Sequence, residues 1–221
     1  MERLSGMDAT FLYLETPAGH MHVAMTGIYD ASTMPGGYSF ETIKQTIGER
    51  VPLVPPFRRR LVEVPFNLHH PVWIEDPDFD LDAHVHRVVC PAPGGRRELA
   101  RLAGQIASTP IDRTRPLWEA WVIEGLKHDR FGFIAKVHHA TIDGSGGAEL
   151  MTALFDLDPS GREVDVEPVA VEHVPSDLEL LSYAALSKAK RLGDAAGLIG
   201  RTAQSVTNVV TGIRNPERRH G

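Results

Sequence analysis

The chain has 221 residues, 42% hydrophobic and 24% charged, an ordinary globular composition that excludes wholesale disorder and allows a sizeable core. A net charge of −6 excludes nucleic acid as the default partner. The single cysteine, Cys90, cannot close an internal disulfide, no signal peptide opens the chain, and no apolar run approaches the roughly 18 residues of a spanning helix; a cytoplasmic location is expected.

In chain order, Ser5 and Asp8 precede Phe11, Leu12 and Leu14, which predicts a capped short helix or turn docked by its apolar side. His22 to Tyr29 predicts a strand, and Ser39 is a plausible N-cap for a helix from Phe40 to about Arg50. Three prolines in Val51 to Pro56 exclude helix interior and hand over to a strand at Phe57 to Val64. There the period of two puts Arg59 opposite Arg58 and Arg60, with a solvated face or a carboxylate partner expected ahead of a phosphate contact. Val72 to Ile74 and Ala83 to Cys90 are strand-like on either side of a Pro/Asp cluster, and Arg96 to Ser108 predicts a helix with Leu99, Leu102, Ala103 and Ile106 on one face. Leu117 to Glu124 and Phe131 to Val137 form a hairpin, followed by a helix from about Ala148 to Phe155. Helices alternating with short, often antiparallel strands give an α/β sandwich.

Past a Pro-containing connector at Val166 to Ser176, residues 176–221 carry seven basic and four acidic side chains, with Leu178, Leu181, Tyr183, Ala184, Leu186 and Ala189 at helical spacing. The expected division is a lobe over residues 1–165 and an extended connector and helical extension over 166–221.

The chemistry concentrates in Val137 to Gly147, VHHATIDGSGG. A neutral imidazole accepts a proton from an attacking hydroxyl, and His139 is the candidate base because the strand period places it on the side of Phe131, Phe133, Ala135 and Val137. Adjacent histidines on a strand face opposite ways, so a shared metal is not expected. Ser145 lacks the G-x-S-x-G elbow, because Asp143 stands where the first glycine should. Two histidines that only satisfy turn hydrogen bonds are the bland alternative. The pairs His20/His22, His69/His70 and His84/His86 are expected to be core-edge or exposed side chains and not ligands.

HHATIDG matches the HHxxxDG signature of the chloramphenicol-acetyltransferase-like superfamily. LSGMDATFLYLET, PPFRRRLVEVP, HPVWIEDPDFDLDAHV and IDRTRPLWEAWVIEGL resemble the bacterial wax ester synthase/diacylglycerol acyltransferase family from Leu4 to about Asp158. The resemblance implies a chloramphenicol-acetyltransferase-like mixed-sheet sandwich, one lobe plus a C-terminal helical extension. It implies transfer of a long acyl group from acyl-CoA, as co-substrate and with no cofactor, to diacylglycerol or a fatty alcohol. His139 would be the base, His138 its supporting neighbour, and Asp143 and Gly144 would shape the loop, while Pro116, Leu117, Trp118 and Glu119 would support the fold. Family members are about twice this length. The chain is therefore expected to be the N-terminal half, inactive alone and completed by a C-terminal half, with contact to a membrane or lipid inclusion. The alternatives are a condensation-type domain using carrier-bound acyl groups and a non-catalytic lipid-inclusion module.

Overall fold

The structure, a computed structural model, describes residues 1–142, 152–156 and 173–190. The chain divides into two compact units, Met1–Glu63 with His70–Val174, and Val64–His69 with Pro175–Gly221. The expected boundary at 165/166 lies outside the described residues.

The first unit opens with β1 (Glu2–Arg3) and α1 (Gly6–Leu14). Ser5 caps α1 by accepting the Asp8 amide at 3.1 Å, and Ala9 and Leu12 are its buried positions. β2 (His22–Asp30) and α2 (Phe40–Arg50) follow, with Ser39 capping α2 through the Thr42 amide. Next come β3 (Arg59–Val62), β4 (Val72–Glu75) and β5 (Val85–Val89), then α3 (Arg96–Ala107), β6 (Trp118–Leu126) and β7 (Arg130–His138). β1, β4 and β3 make a small antiparallel sheet in the order β1-β4-β3. The main sheet runs β2-β7-β6-β5, antiparallel except for the β5–β6 pair.

The main sheet is covered on both faces. Trp118, Ala120, Val122, Phe133 and Val137 pack with Ile47 of α2, whereas Ile123 and Ile134 pack with Cys90 and with Leu99 and Ile106 of α3. This is the layered α/β arrangement that the alternating elements predict. The β6–β7 hairpin turns at His128 and Asp129, both with positive φ (65° and 52°), the backbone that a tight hairpin requires. Gly94 lies so close to that hairpin that a β-carbon on it would meet the Gly125 carbonyl oxygen.

Two strands are shorter than the sequence suggested. Pro55–Arg58 folds as a 3-10 turn, so the strand expected from Phe57 to Val64 is only β3; proline supplies the fixed φ of that turn and no donor for a ladder. Leu81–Ala83 is likewise a 3-10 turn, capped by Asp80, so the strand expected from Ala83 begins at Val85. Because Arg58 sits in the turn, strand alternation does not separate it from Arg59. Both reach Glu75, at 3.7 and 3.0 Å, while Arg60 pairs with Asp76 at 3.2 Å.

After the motif, residues 152–154 are helical, and buried Arg50 ties this segment to α2 by donating to the Leu154 carbonyl at 2.7 Å and to Asp156. Ala148 to Met151 lie outside the described residues. In the second unit residues 177–190 are helical, Ser176 and Glu179 cap that helix reciprocally, and His69 meets Tyr183 edge to face at 5.4 Å. The helical continuation expected through Leu198 and Val209 also falls outside the described residues.

Candidate active site

β7 delivers the two histidines to the end of the main sheet. His138 is its last residue, and His139 begins a 3-10 turn, His139–Thr141. The strand therefore stops one residue too early for its period of two to govern His139, whose ring stacks instead on Phe11 of α1 at 5.0 Å. The backbone around the pair is held at four points. The His138 amide donates to the Leu117 carbonyl at 3.0 Å and the His139 amide to the Met21 carbonyl at 2.8 Å. The Ala140 amide donates to His138 Nδ1 at 3.0 Å and the Ile142 amide to the His139 carbonyl at 3.3 Å. Neither ring nitrogen of His139 has a hydrogen-bond partner among the described residues.

His138 is buried, 1% exposed, and its Nε2 lies 3.4 Å from Glu15 Oε2, within ion-pair range though outside hydrogen-bond geometry. Burial pushes its imidazole down to about 4, against the opposing pull of the Glu15 carboxylate. At neutral pH the ring is uncharged, and because Nδ1 accepts from Ala140 its one proton sits on Nε2, facing Glu15. Glu15 accepts from Arg113 Nε at 2.9 Å and from its Nη2, which also donates to the Leu12 carbonyl at 2.8 Å. Burial alone would raise the Glu15 carboxyl; the Arg113 bonds and charge outweigh it and hold it below the usual carboxylate range.

Around this core five other histidines find structural partners. His20 and His22 stack at 5.4 Å and bond the end of α3 through the Ser108 and Ala107 carbonyls, at 3.0 and 2.9 Å. His84 stacks on Trp118 and bonds its carbonyl through Nδ1 at 2.8 Å, His86 packs on Trp121, and His70 bonds Tyr13 Oη at 2.9 Å. Among the described residues no group of His, Cys, Asp and Glu could hold a metal.

The Pro116–Glu119 segment is built into the fold. Leu117 and Trp118 are buried, Trp118 stacks on Phe57 at 4.5 Å and donates to its carbonyl, and the Pro116 carbonyl accepts the Trp118 amide. Glu119 pairs across the hairpin with Lys136 at 3.1 Å. Lys136 is fully buried and also bonds Thr109; its signal in the sequence was a lone charge inside the apolar run FGFIAKV. Glu15, by contrast, had no local signal. Asp143 and Gly144 lie outside the described residues. Beside Val137, an apolar cavity of about 230 Å³ opens between α2 and the sheet, lined by Ile43, Ile47, Trp118 and Phe133. A second cavity of about 360 Å³ borders Ala140 and Thr141 together with Asp8, Arg59 and Trp73.

Comparison with known proteins bears on the family and the fold. A family model described as the wax ester synthase/diacylglycerol acyltransferase catalytic domain matches residues 4–219. A Mycobacterium tuberculosis H37Rv protein described as a candidate diacylglycerol O-acyltransferase is 43% identical over 196 residues, covering 89% of this chain and 42% of its own length. A second from the same strain is 49% identical over 160 residues, covering 72% of this chain and 32% of its own. The chain thus spans less than half the length of these relatives. Among solved structures, the wax ester synthase/diacylglycerol acyltransferase of Marinobacter aquaeolei VT8 is similar at a TM-score of 0.55 and 33% identity, covering 68% of this chain and 37% of that one. A condensation domain of the calcium-dependent antibiotic synthetase is similar in fold alone, at a TM-score of 0.55 and 16% identity, covering 69% and 36%. The fold is the chloramphenicol-acetyltransferase-like one.

Proposed function

Because the chain belongs to the wax ester synthase/diacylglycerol acyltransferase family, we propose that it supplies the histidine-bearing half of an O-acyltransferase. That enzyme moves a long acyl group from acyl-CoA to the hydroxyl of diacylglycerol or of a fatty alcohol. The observation that carries this reading is the HHxxxDG histidine at the exit of β7, its backbone clamped and its ring nitrogens unengaged by described residues.

His139 takes the proton of the acceptor hydroxyl as that oxygen attacks the thioester carbonyl carbon. The carbon–sulfur bond then breaks, and the imidazolium returns the proton to the departing CoA thiolate. Nucleophile and leaving group both belong to substrates, so the chemistry needs no acyl-enzyme and no cofactor. The apolar cavity beside Val137 suits an alkyl chain. We infer that a C-terminal half contributes the opposite wall of the site, a reading supported by the greater length of the relatives, of which the matched regions are 42% and 32%. Lipid substrates bring the assembled enzyme to a membrane or lipid-inclusion surface by peripheral contact; among the described residues no helix is long and apolar enough to cross a membrane.

The test is His139→Ala in a preparation containing both halves, assayed with long-chain acyl-CoA and diacylglycerol and in parallel with carrier-bound acyl groups. A loss of about a hundredfold or more is expected with acyl-CoA as donor. Unchanged ester formation would sink the base role, and a preference for the carrier-bound donor would move the chain to condensation-type chemistry.

A further inference from the structure

The geometry points to Glu15 as a positioning residue for His139, acting through the protonation pattern of His138. The inference rests on the reading of His139 as the base and adds what orients it.

Glu15 follows α1 directly, and its own amide bonds the Phe11 carbonyl at 3.2 Å. The same few residues therefore present the ring on which His139 stacks and the carboxylate that faces His138. That carboxylate is 9% exposed and stands among Arg113, His138 Nε2 at 3.4 Å and His20 Nδ1 at 3.8 Å. Arg113 can only donate. With the carboxylate in place, His138 keeps its proton on Nε2, toward the anion, and leaves Nδ1 free to accept the Ala140 amide. That bond fixes the residue following His139, whose own amide is held by Met21. A carboxylate, a ring and two amides thus set the backbone on both sides of the base.

Removing the carboxylate reverses the chain of donors. In Glu15→Ala the anion that favours a proton on Nε2 is gone while the positive charge of Arg113, which also acts on His138, remains; the balance shifts toward a proton on Nδ1, which confronts the Ala140 amide, donor against donor. The turn carrying His139 has to move. Displacing a catalytic group by about 1 Å costs up to a hundredfold in turnover. Glu15→Gln keeps an acceptor oxygen between the cation and the ring and should retain most of the activity.

The experiment measures imidazole nitrogen shifts of His138 by NMR in the wild-type chain and in Glu15→Ala, and kcat and KM of wild type, Glu15→Ala, Glu15→Gln and His139→Ala in the two-half preparation. Expected are an Nε2–H ring in wild type, an Nδ1–H ring in Glu15→Ala, and kcat lowered there about tenfold or more with KM changed less than about twofold. Glu15→Gln should stay within about threefold of wild type. An Nδ1–H ring in the wild-type chain overturns the inference whether or not the alanine variant folds. Wild-type turnover in Glu15→Ala alongside a dead His139→Ala overturns it alone. Unchanged turnover in His139→Ala overturns the reading beneath it and the inference together.

Discussion

Burial holds the His138 imidazole down to about 4, whereas in the unfolded chain it titrates near 6.5. Between those values the unfolded state binds the proton first. The stabilising contribution is complete above pH 6.5 and is lost as the pH falls toward 4, on the order of 3 kcal/mol in all. Glu15, its carboxyl held below the usual range, adds to the loss at the acid end. Denaturant midpoints should therefore fall from pH 6.5 to 4, and His138→Gln should flatten that slope; a wild-type slope in the variant would assign the titration elsewhere. Lys136 makes a second prediction at this scale. Its ammonium is fully buried against Glu119, which also accepts from Trp121 Nε1 at 3.0 Å. Lys136→Ala leaves that carboxylate without its cation and should cost about 3–5 kcal/mol by chemical denaturation, whereas Lys136→Met with Glu119→Leu should recover most of it.

Among the elements, α1 does the most for the site. Ala9 and Leu12 pack with Leu117 and Ala140, so the helix seats the turn that carries His139. Leu12→Ala should lower stability by about 2–5 kcal/mol and reduce acyl transfer further than the unfolded fraction explains, because Phe11 shifts with its helix. The two capped helices were legible in the sequence, since Ser5 and Ser39 precede apolar residues at helical spacing. The hairpin was legible too, as two apolar runs around a short polar connector. Strand ends at Phe57 and Ala83 were not, because flanking turn residues took over backbone that hydrophobicity alone assigns to strands. The motif named His138 and His139, but Glu15 and Arg113 stand 98 positions apart and meet only through tertiary packing. Local pattern carries no trace of such a pair.

For the whole molecule, β2 and β5 are the edges of the main sheet among the described residues, and β2 exposes Val23 and Ile28 at 44% and 47%. An apolar edge strand invites pairing with another copy. The isolated chain should self-associate with rising concentration, and Val23→Lys should suppress this in light scattering; an unaffected second virial coefficient would clear that edge. Cys90 offers a way to follow the interior itself. It is the one thiol of the sequence, 3% exposed beneath α3, and burial raises its pKa. A maleimide can reach it only when the α3 layer lifts from the sheet. The alkylation rate is thus a built-in clock for opening, one that needs neither introduced label nor substrate.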